Sequence, residues 1–117
     1  GAILFAAITF GGILMLTAQA RETGRQYAML NSTGDHAAAH KLLHEELARE
    51  FTTERLAEAF QGARPYVKIR FTSINADGSG TRLTGVAHTA DGCVSRLNYD
   101  ILRGQILAFN ITPLCRN

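Results

Sequence analysis

The sequence predicts an α+β fold, in which an N-terminal transmembrane helix precedes helices packed on a curved four-stranded antiparallel sheet. Three observations predict it. Residues 1–20 contain no charged side chain, apolar residues recur every three or four positions between residues 36 and 60, and beyond Pro65 the apolar period changes to two. A chain of 117 residues allows one compact domain. We therefore divide it into a transmembrane helix, 1–20, and an extracytoplasmic α+β domain, 21–117.

The uncharged segment 1–20 is long enough to cross a bilayer, because twenty helical residues span about 30 Å. Its end, Ala18-Gln19-Ala20, also matches the cleavage site of a secretory signal peptide. We expect the segment to be retained, because it is longer than the apolar region of a typical signal peptide. The chain begins without a methionine, so we expect the native N-terminus and its orienting charges to be missing. Pairs of small residues four positions apart would let another membrane helix pack closely: Ala2 with Ala6 and Ala7 with Gly11.

The predicted helices of the domain follow from periodicity and caps. Residues 20–31 continue the first helix, and a turn at 31–34 ends it. Asp35 is a natural N-cap for an amphipathic helix that we expect to run unbroken from residue 36 to 51. Thr52 or Thr53 caps a third helix, which ends before Gly62.

Four strands are predicted beyond Pro65 from alternating apolar and polar residues. A loop at 75–80, a two-residue turn at Asp91-Gly92 and another at Arg103-Gly104 separate them. Alternation assigns one set of residues to the face that the helices cover: Val67, Ile69, Phe71, Leu83, Gly85, Ala87, Ser95, Leu97, Tyr99, Ile101, Leu107, Phe109 and Ile111.

The two cysteines lie at matching ends of the last hairpin. If Leu102 pairs with Gln105, position 93 faces position 114, so a bulge near Pro113 would bring Cys115 within bonding reach of Cys93. The alternative is two separate buried thiols. A disulfide would place the domain in an oxidising, extracytoplasmic compartment.

The order of these segments resembles the nuclear transport factor two-like (cystatin-like) superfamily, in its small bacterial membrane-anchored branch. The resemblance is carried by Tyr27-Ala-Met-Leu, Gly34-Asp-His-Ala-Ala-Ala, Leu-His-Glu-Glu-Leu47 and the Thr52-Thr-Glu start of the third helix, followed by the four-strand meander. It covers about residues 20–115 and implies a cone-shaped fold. It also implies pairing through the open sheet face, and anchored relatives include assembly proteins of secretion systems in the bacterial inner membrane.

Chemically active groups are few. His36, His40 and His44 would share one helix at four-residue spacing and form a weak metal candidate, although no fourth ligand is evident. The predicted inner face carries one hydroxyl pair, Ser95 and Tyr99, as a possible cavity lining, and no carboxylate or histidine. We therefore predict no catalytic residue, no metal and no cofactor.

The opposite sheet face carries most of the basic residues of the second half. Residues 62–117 hold seven basic and three acidic side chains (+4), whereas residues 21–61 hold five and seven (−2). No run of Lys and Arg with interleaved aromatic residues occurs, so nucleic-acid binding is not indicated. The face is either simply solvated or a docking surface for an acidic partner, with a homodimer through the sheet as one form of docking: Lys68, Arg70, Arg82, His88 and Arg96.

These features favour a non-catalytic accessory or assembly subunit of a bacterial membrane complex, with a respiratory or photosynthetic complex as the expected host. It would be a single-pass protein of the inner membrane with its domain in the periplasm, in contact with other transmembrane subunits and the bilayer. Two alternatives stay open. One is a ligand-binding or enzymatic domain that uses the cone, and the other is a secretion-system assembly factor that self-associates.

Overall fold

The structure, a computed structural model, describes the backbone of residues 2–116 and the side chains of residues 17–116. Over that range four helices precede four strands, and the strands form one open antiparallel sheet in the order β1-β2-β3-β4. The predicted α+β class and the four-stranded antiparallel sheet are confirmed. The bounds are α1 Ala2–Ser32, α2 His36–His40, α3 Glu45–Glu50, α4 Thr53–Ala59, β1 Tyr66–Asp77, β2 Gly80–Thr89, β3 Val94–Leu102 and β4 Gln105–Thr112.

Helix α1 runs through the predicted boundary between residues 20 and 21. Within the described part of the chain, no helix combines the length and the hydropathy needed to cross a membrane. The predicted transmembrane segment falls mainly on residues 1–16, whose side chains lie outside the described residues. The same holds for its predicted helix-packing residues, Ala2, Ala6, Ala7 and Gly11.

The C-terminal half of α1 packs on one face of the sheet, which we call the inner face. Small side chains allow a close approach. A Cβ atom added to Gly24 would lie 3.0 Å from Cδ2 of Tyr99 and 3.1 Å from Cζ of Phe71. The helix therefore rests almost directly on the aromatic rings of the sheet. Its buried residues in the described part of the chain recur at helical spacing: Ala20, Thr23, Gly24, Tyr27, Ala28, Asn31 and Ser32.

The single helix predicted over residues 36–51 is wrong, because a non-local contact divides it into α2 and α3. The backbone at Leu43 bridges Ile106 at the start of β4. The amide of His44 donates to the Ile106 carbonyl at 2.8 Å, and the Ile106 amide donates to the Leu42 carbonyl at 2.8 Å. These two bonds replace the helical bonds that an unbroken helix would make there, and they cover part of the β4 edge.

The predicted N-caps are confirmed by their hydrogen bonds. The Asp35 carboxylate accepts from the Ala38 amide at 3.2 Å. The Thr52 hydroxyl accepts from the Arg55 amide at the same distance, 3.2 Å. Both satisfy amides that the first turn of a helix leaves without a partner.

Three extra residues change which side chains face inward. Val67 and Thr72 are inserted in β1, and Leu107 is inserted in β4. Val67, predicted to face inward, is therefore 63% exposed. Leu107 was also predicted to face inward, yet Ile106 takes that place and is fully buried.

The turns differ in length from the prediction at two of three places. The predicted loop at 75–80 is shorter, because β1 extends to Asp77 and β2 begins at Gly80. The connection after β2 is longer than the Asp91-Gly92 pair, since the Thr89 amide bonds to the Cys93 carbonyl at 2.9 Å. The two-residue turn at Arg103-Gly104 is confirmed, with φ angles of 53° and 76°.

Candidate docking surface

The space between α1 and the sheet is filled by aromatic rings. The Tyr27 ring lies 6.2 Å from that of Tyr99 and 4.9 Å from that of Phe109, measured between centroids. Phe51 packs on Phe109 at 5.1 Å, and Phe71 on Tyr99 at 6.4 Å. Edge and tilted contacts of this kind stabilise a core beyond the area that they bury. The region predicted as a possible cavity is therefore occupied by side chains.

Ser95 and Tyr99, the predicted lining of that cavity, are core residues. The Tyr66 hydroxyl donates to Ser95 Oγ at 2.7 Å, and Ser95 Oγ donates to the Pro113 carbonyl at 2.6 Å. Ser95 is thus bonded within the core.

Three buried polar atoms have no hydrogen-bond partner among the described residues: the hydroxyls of Tyr27 and Tyr99 and Nδ2 of Asn31. Burial raises the pKa of Tyr27, Tyr66 and Tyr99, because a phenolate loses its hydration there. All the tyrosines of the chain are therefore protonated well into the alkaline range.

Cys93 and Cys115 form a disulfide in the structure, with their Cα atoms 6.0 Å apart. The bulge that aligns them is at Leu107, where the register shifts, and not near Pro113 as predicted. Beyond that bulge Arg96 pairs with Thr112, so the same register brings residue 93 opposite residue 115. One inserted residue thus accounts for both the cysteine pairing and the inward position of Ile106.

The C-terminal segment also joins the other edge of the sheet. Ala63 bridges Arg116, and the Arg64 amide donates to the Cys115 carbonyl at 2.7 Å. The disulfide therefore connects β3 to a segment that pairs with the residues before β1.

The three histidines predicted as a row do not converge. His36 Nδ1 donates to Oδ1 of Asn31 at 2.9 Å, and His40 Nε2 donates to the Ala48 carbonyl at 2.9 Å. His44 caps α3, where its Nδ1 accepts from the Glu46 amide. Among the described residues, no group of three or more His, Cys, Asp or Glu side chains is placed to hold a metal ion.

The face of the sheet opposite α1, which we call the outer face, carries the predicted docking residues. Register places Arg70, Val86 and Arg96 in one row across β1, β2 and β3. Lys68, His88 and Val94 form the adjacent row. Neighbouring strands are about 4.8 Å apart, so the two rows make a compact surface. We call this surface the cationic patch: Lys68, Arg70, His88 and Arg96, with Val86 between the two arginines and Val94 at the end of its row.

The electrostatics of the outer face divide the predicted residues into two groups. Arg82 donates through Nε to the Asp100 carboxylate at 3.0 Å, which neutralises its charge. Lys68, Arg70 and Arg96 have no carboxylate within 4.0 Å in the described part of the chain, and all are exposed. The unpaired positive charge of the cationic patch therefore comes from Lys68, Arg70 and Arg96, which lie beside His88, and Arg82 lies outside the patch.

Two apolar residues of the patch were not predicted. Val94 is 40% exposed at the start of β3, and Val86 is half-buried between the two arginines. The alternation of β2 could have identified Val86, because its neighbours Gly85 and Ala87 face inward. An apolar centre bordered by cations is the general composition of a protein-binding surface.

Comparison of the chain with models of protein families, with curated proteins and with solved structures finds no match.

Proposed function

We propose that this protein is a non-catalytic accessory or assembly subunit of a bacterial membrane complex, anchored by residues 1–20 and docked through the cationic patch on an acidic surface of a neighbouring subunit. One observation carries the proposal. Three exposed cations without a carboxylate partner, among the described residues, lie around Val86 on a sheet face that the described helices leave open, and Val94 lies at the border of the same surface.

The position of the patch supports docking over catalysis. On the inner face Leu83, Ala87 and Leu97 are fully buried, so chemistry there would require the aromatic core to open. On the outer face Arg96 and Asn98 are exposed. Complementary charges across an interface accelerate association and select the partner, so the occupant of this face is an acidic surface.

The anchor is supported by the sequence and by the burial of the residues that follow it. Residues 1–20 carry no charge, and α1 continues from them into the core without a break in its described backbone. Ala20 is 3% exposed and belongs to the hydrophobic core. Cleavage after Ala20, as a signal peptide would require, would cut the helix inside its packed region, so retention is the better interpretation.

The proposed compartment is supported by the disulfide, and the proposed host complex by the small size of the chain and its one predicted anchor helix. A disulfide persists in the periplasm and is rare in the cytoplasm, so the Cys93–Cys115 bond supports a domain on the periplasmic side of the inner membrane. Energy-transducing complexes, respiratory or photosynthetic, are the proposed hosts, because small subunits with one helix accumulate at their edges. In the cone-shaped fold of the superfamily that this chain resembles, the cationic patch would lie on the face of the sheet that points away from the helices.

The alternatives expected from the sequence are less well supported. A ligand-binding domain needs space where Tyr27, Phe71 and Phe109 now pack. A secretion-system factor that self-associates through the sheet would bring two copies of the same unpaired cations together, and like charges across an interface disfavour it. A partner with an acidic surface requires no cavity in the aromatic core and brings no like charges together.

Charge reversal of the patch tests the proposal. The triple variant Lys68→Glu, Arg70→Glu, Arg96→Glu changes the net charge by −6, from +2 to −4. We expect it to lose its partner when the complex is extracted from membranes in mild detergent and weighed by native mass spectrometry.

A matched control separates the patch from net charge. The variant Lys41→Glu, Arg49→Glu, Arg55→Glu replaces one Lys and two Arg, all exposed on the helical side, and gives the same net charge. It should retain the partner. Retention in both triple variants, or loss in both, would contradict docking through the patch, and a wild-type chain that copurifies with no other protein would contradict the proposed function.

A further inference from the structure

A cleft lies where α1 meets the tips of the β1–β2 and β3–β4 hairpins. Its volume is about 480 Å³. One wall is Gln19 and Ala20 of α1, and the other is formed by the β1–β2 turn and the β3–β4 turn. A Cβ atom added to Gly104 would lie 3.4 Å from the Gln19 side chain. We call the two turns together the rim: Asp77–Gly80 and Leu102–Gln105.

The rim is level with the end of the uncharged segment. Gln19 is one residue before that segment ends, and a helix rises about 1.5 Å per residue. If residues 1–20 occupy the hydrocarbon layer, the rim is within about 3 Å of its boundary. The headgroup layer on each side of the hydrocarbon is about 5–8 Å thick, so the rim lies where the hydrocarbon meets that layer.

The chemistry of the rim suits that layer. Ala20, Ala76, Ile101 and Leu102 give the cleft an apolar lining. Arg103 is exposed at the tip of the β3–β4 turn, where its guanidinium can donate to a phosphate oxygen.

The acidic residue of the rim is held by its own turn. The Asp77 carboxylate accepts from the Ser79 amide at 2.7 Å and from the Ser79 hydroxyl at 2.6 Å. These bonds lower the pKa of Asp77, and Arg82 nearby lowers it further. The carboxylate therefore stays ionised within its turn, and Arg103 is the exposed charge at the tip of the neighbouring turn.

We propose that the rim rests on the phospholipid headgroups of the leaflet from which α1 emerges, with Arg103 bound to lipid phosphate and the cleft in contact with the glycerol and upper acyl region. This inference rests on the proposed function, because it requires residues 1–20 to be the anchor. It adds a second membrane contact, through strands and turns, to the one made by the helix.

Tryptophan fluorescence tests the contact, because the chain contains no tryptophan of its own. Ser79→Trp and Leu102→Trp place one reporter on each turn of the rim. Gln61→Trp is the matched control, since Gln61 is exposed and precedes β1, at the opposite end of that strand from the rim. The full-length variants are reconstituted in phosphatidylcholine and phosphatidylglycerol vesicles whose acyl chains are brominated near the carbonyl end.

The expected result is quenching of both rim reporters with a blue shift, while the Gln61→Trp emission is unchanged. Adding Arg103→Glu to the Leu102→Trp variant should reduce the quenching, whereas adding Arg49→Glu should not. If the chain floats with the vesicles and the rim reporters are not quenched, the rim contact is refuted while the anchor stands. Equal quenching at Gln61→Trp also refutes it, because the domain would then lie on its side. A chain that does not associate with vesicles refutes both the anchor and the rim contact.

Discussion

The substitution Gly85→Ala probes a close approach of β1 to β2. Gly85 pairs with Phe71 across these strands. A Cβ atom at this position would lie 2.6 Å from the Arg70 carbonyl oxygen and 2.8 Å from Cδ1 of Phe71. Carbon and oxygen normally stay about 3.3 Å apart even in favourable C–H···O contacts. The shortfall is about 0.7 Å on that scale, and it involves a backbone atom, which cannot rotate away as the end of a side chain can.

The expected cost follows from two opposing effects. Overpacking costs about 1–3 kcal/mol, and a backbone clash belongs at the upper end of that range. Alanine in a strand regains about 0.5–1 kcal/mol relative to glycine. We expect a net loss of about 2 kcal/mol in the free energy of unfolding. For a domain of this size that corresponds to a fall in Tm of about 8–16 °C.

The measurement is urea and thermal unfolding in detergent, followed by circular dichroism. Gly78→Ala is the control, because no heavy atom lies within 4 Å of its added Cβ. It should leave stability unchanged or raise it by up to about 1 kcal/mol. A Gly85→Ala protein as stable as the wild type, with the control behaving as expected, would show that β1 and β2 do not approach as closely as the structure has them.

Three further predictions concern the disulfide and the tyrosines. Replacing Cys93 and Cys115 together by serine should lower the free energy of unfolding by about 3 kcal/mol, since the crosslinked residues are 22 positions apart. A denaturation midpoint equal to that of the wild type would contradict a bonded pair. Tyr66→Phe should destabilise the protein by about 1 kcal/mol, because the Tyr66 hydroxyl is hydrogen-bonded in the core. Tyr27→Phe and Tyr99→Phe should be neutral or stabilising, because they remove hydroxyls without a described partner. If urea unfolding shows Tyr66→Phe to be the least destabilising of the three variants, this placement of the rings is contradicted. Folding raises the pKa of all three tyrosines from the ordinary value of 10.0, so the folded state keeps protons that the unfolded chain loses. The contribution of the tyrosines to stability should therefore be constant up to about pH 10 and fall above it. The double variant Tyr27→Phe, Tyr99→Phe should flatten that fall in an alkaline titration.

Local chemistry made much of this fold predictable from the sequence. The caps at Asp35 and Thr52 and the turn at Arg103-Gly104 depend on residues within a few positions of one another, and all are confirmed. The change of apolar period at Pro65 marked the start of the sheet for the same reason. Where the structure is decided by neighbours in sequence, pattern and propensity were sufficient.

Non-local pairing decided the features that were mispredicted. Leu43 and its neighbours leave the helix because they bond to Ile106, more than sixty positions away. The bulges at Val67, Thr72 and Leu107 are set by the register with the partner strand, which a single strand's sequence does not encode. The candidate docking surface was likewise predictable only in part. The alternation of apolar and polar residues identified its cations, but only the register between β2 and β3 shows that Asp100 neutralises Arg82.

The geometry of β1 relates the two proposed contacts and restricts the partner. Arg70 is in the cationic patch and Asp77 is in the rim, seven residues further along the same strand. At about 3.3 Å per residue they are roughly 20 Å apart. If the rim rests on the headgroups and β1 extends away from the membrane, the patch is held up to about that far above the bilayer. A partner confined to the membrane would not reach it, so we expect the proposed acidic surface to belong to a subunit with its own domain outside the membrane.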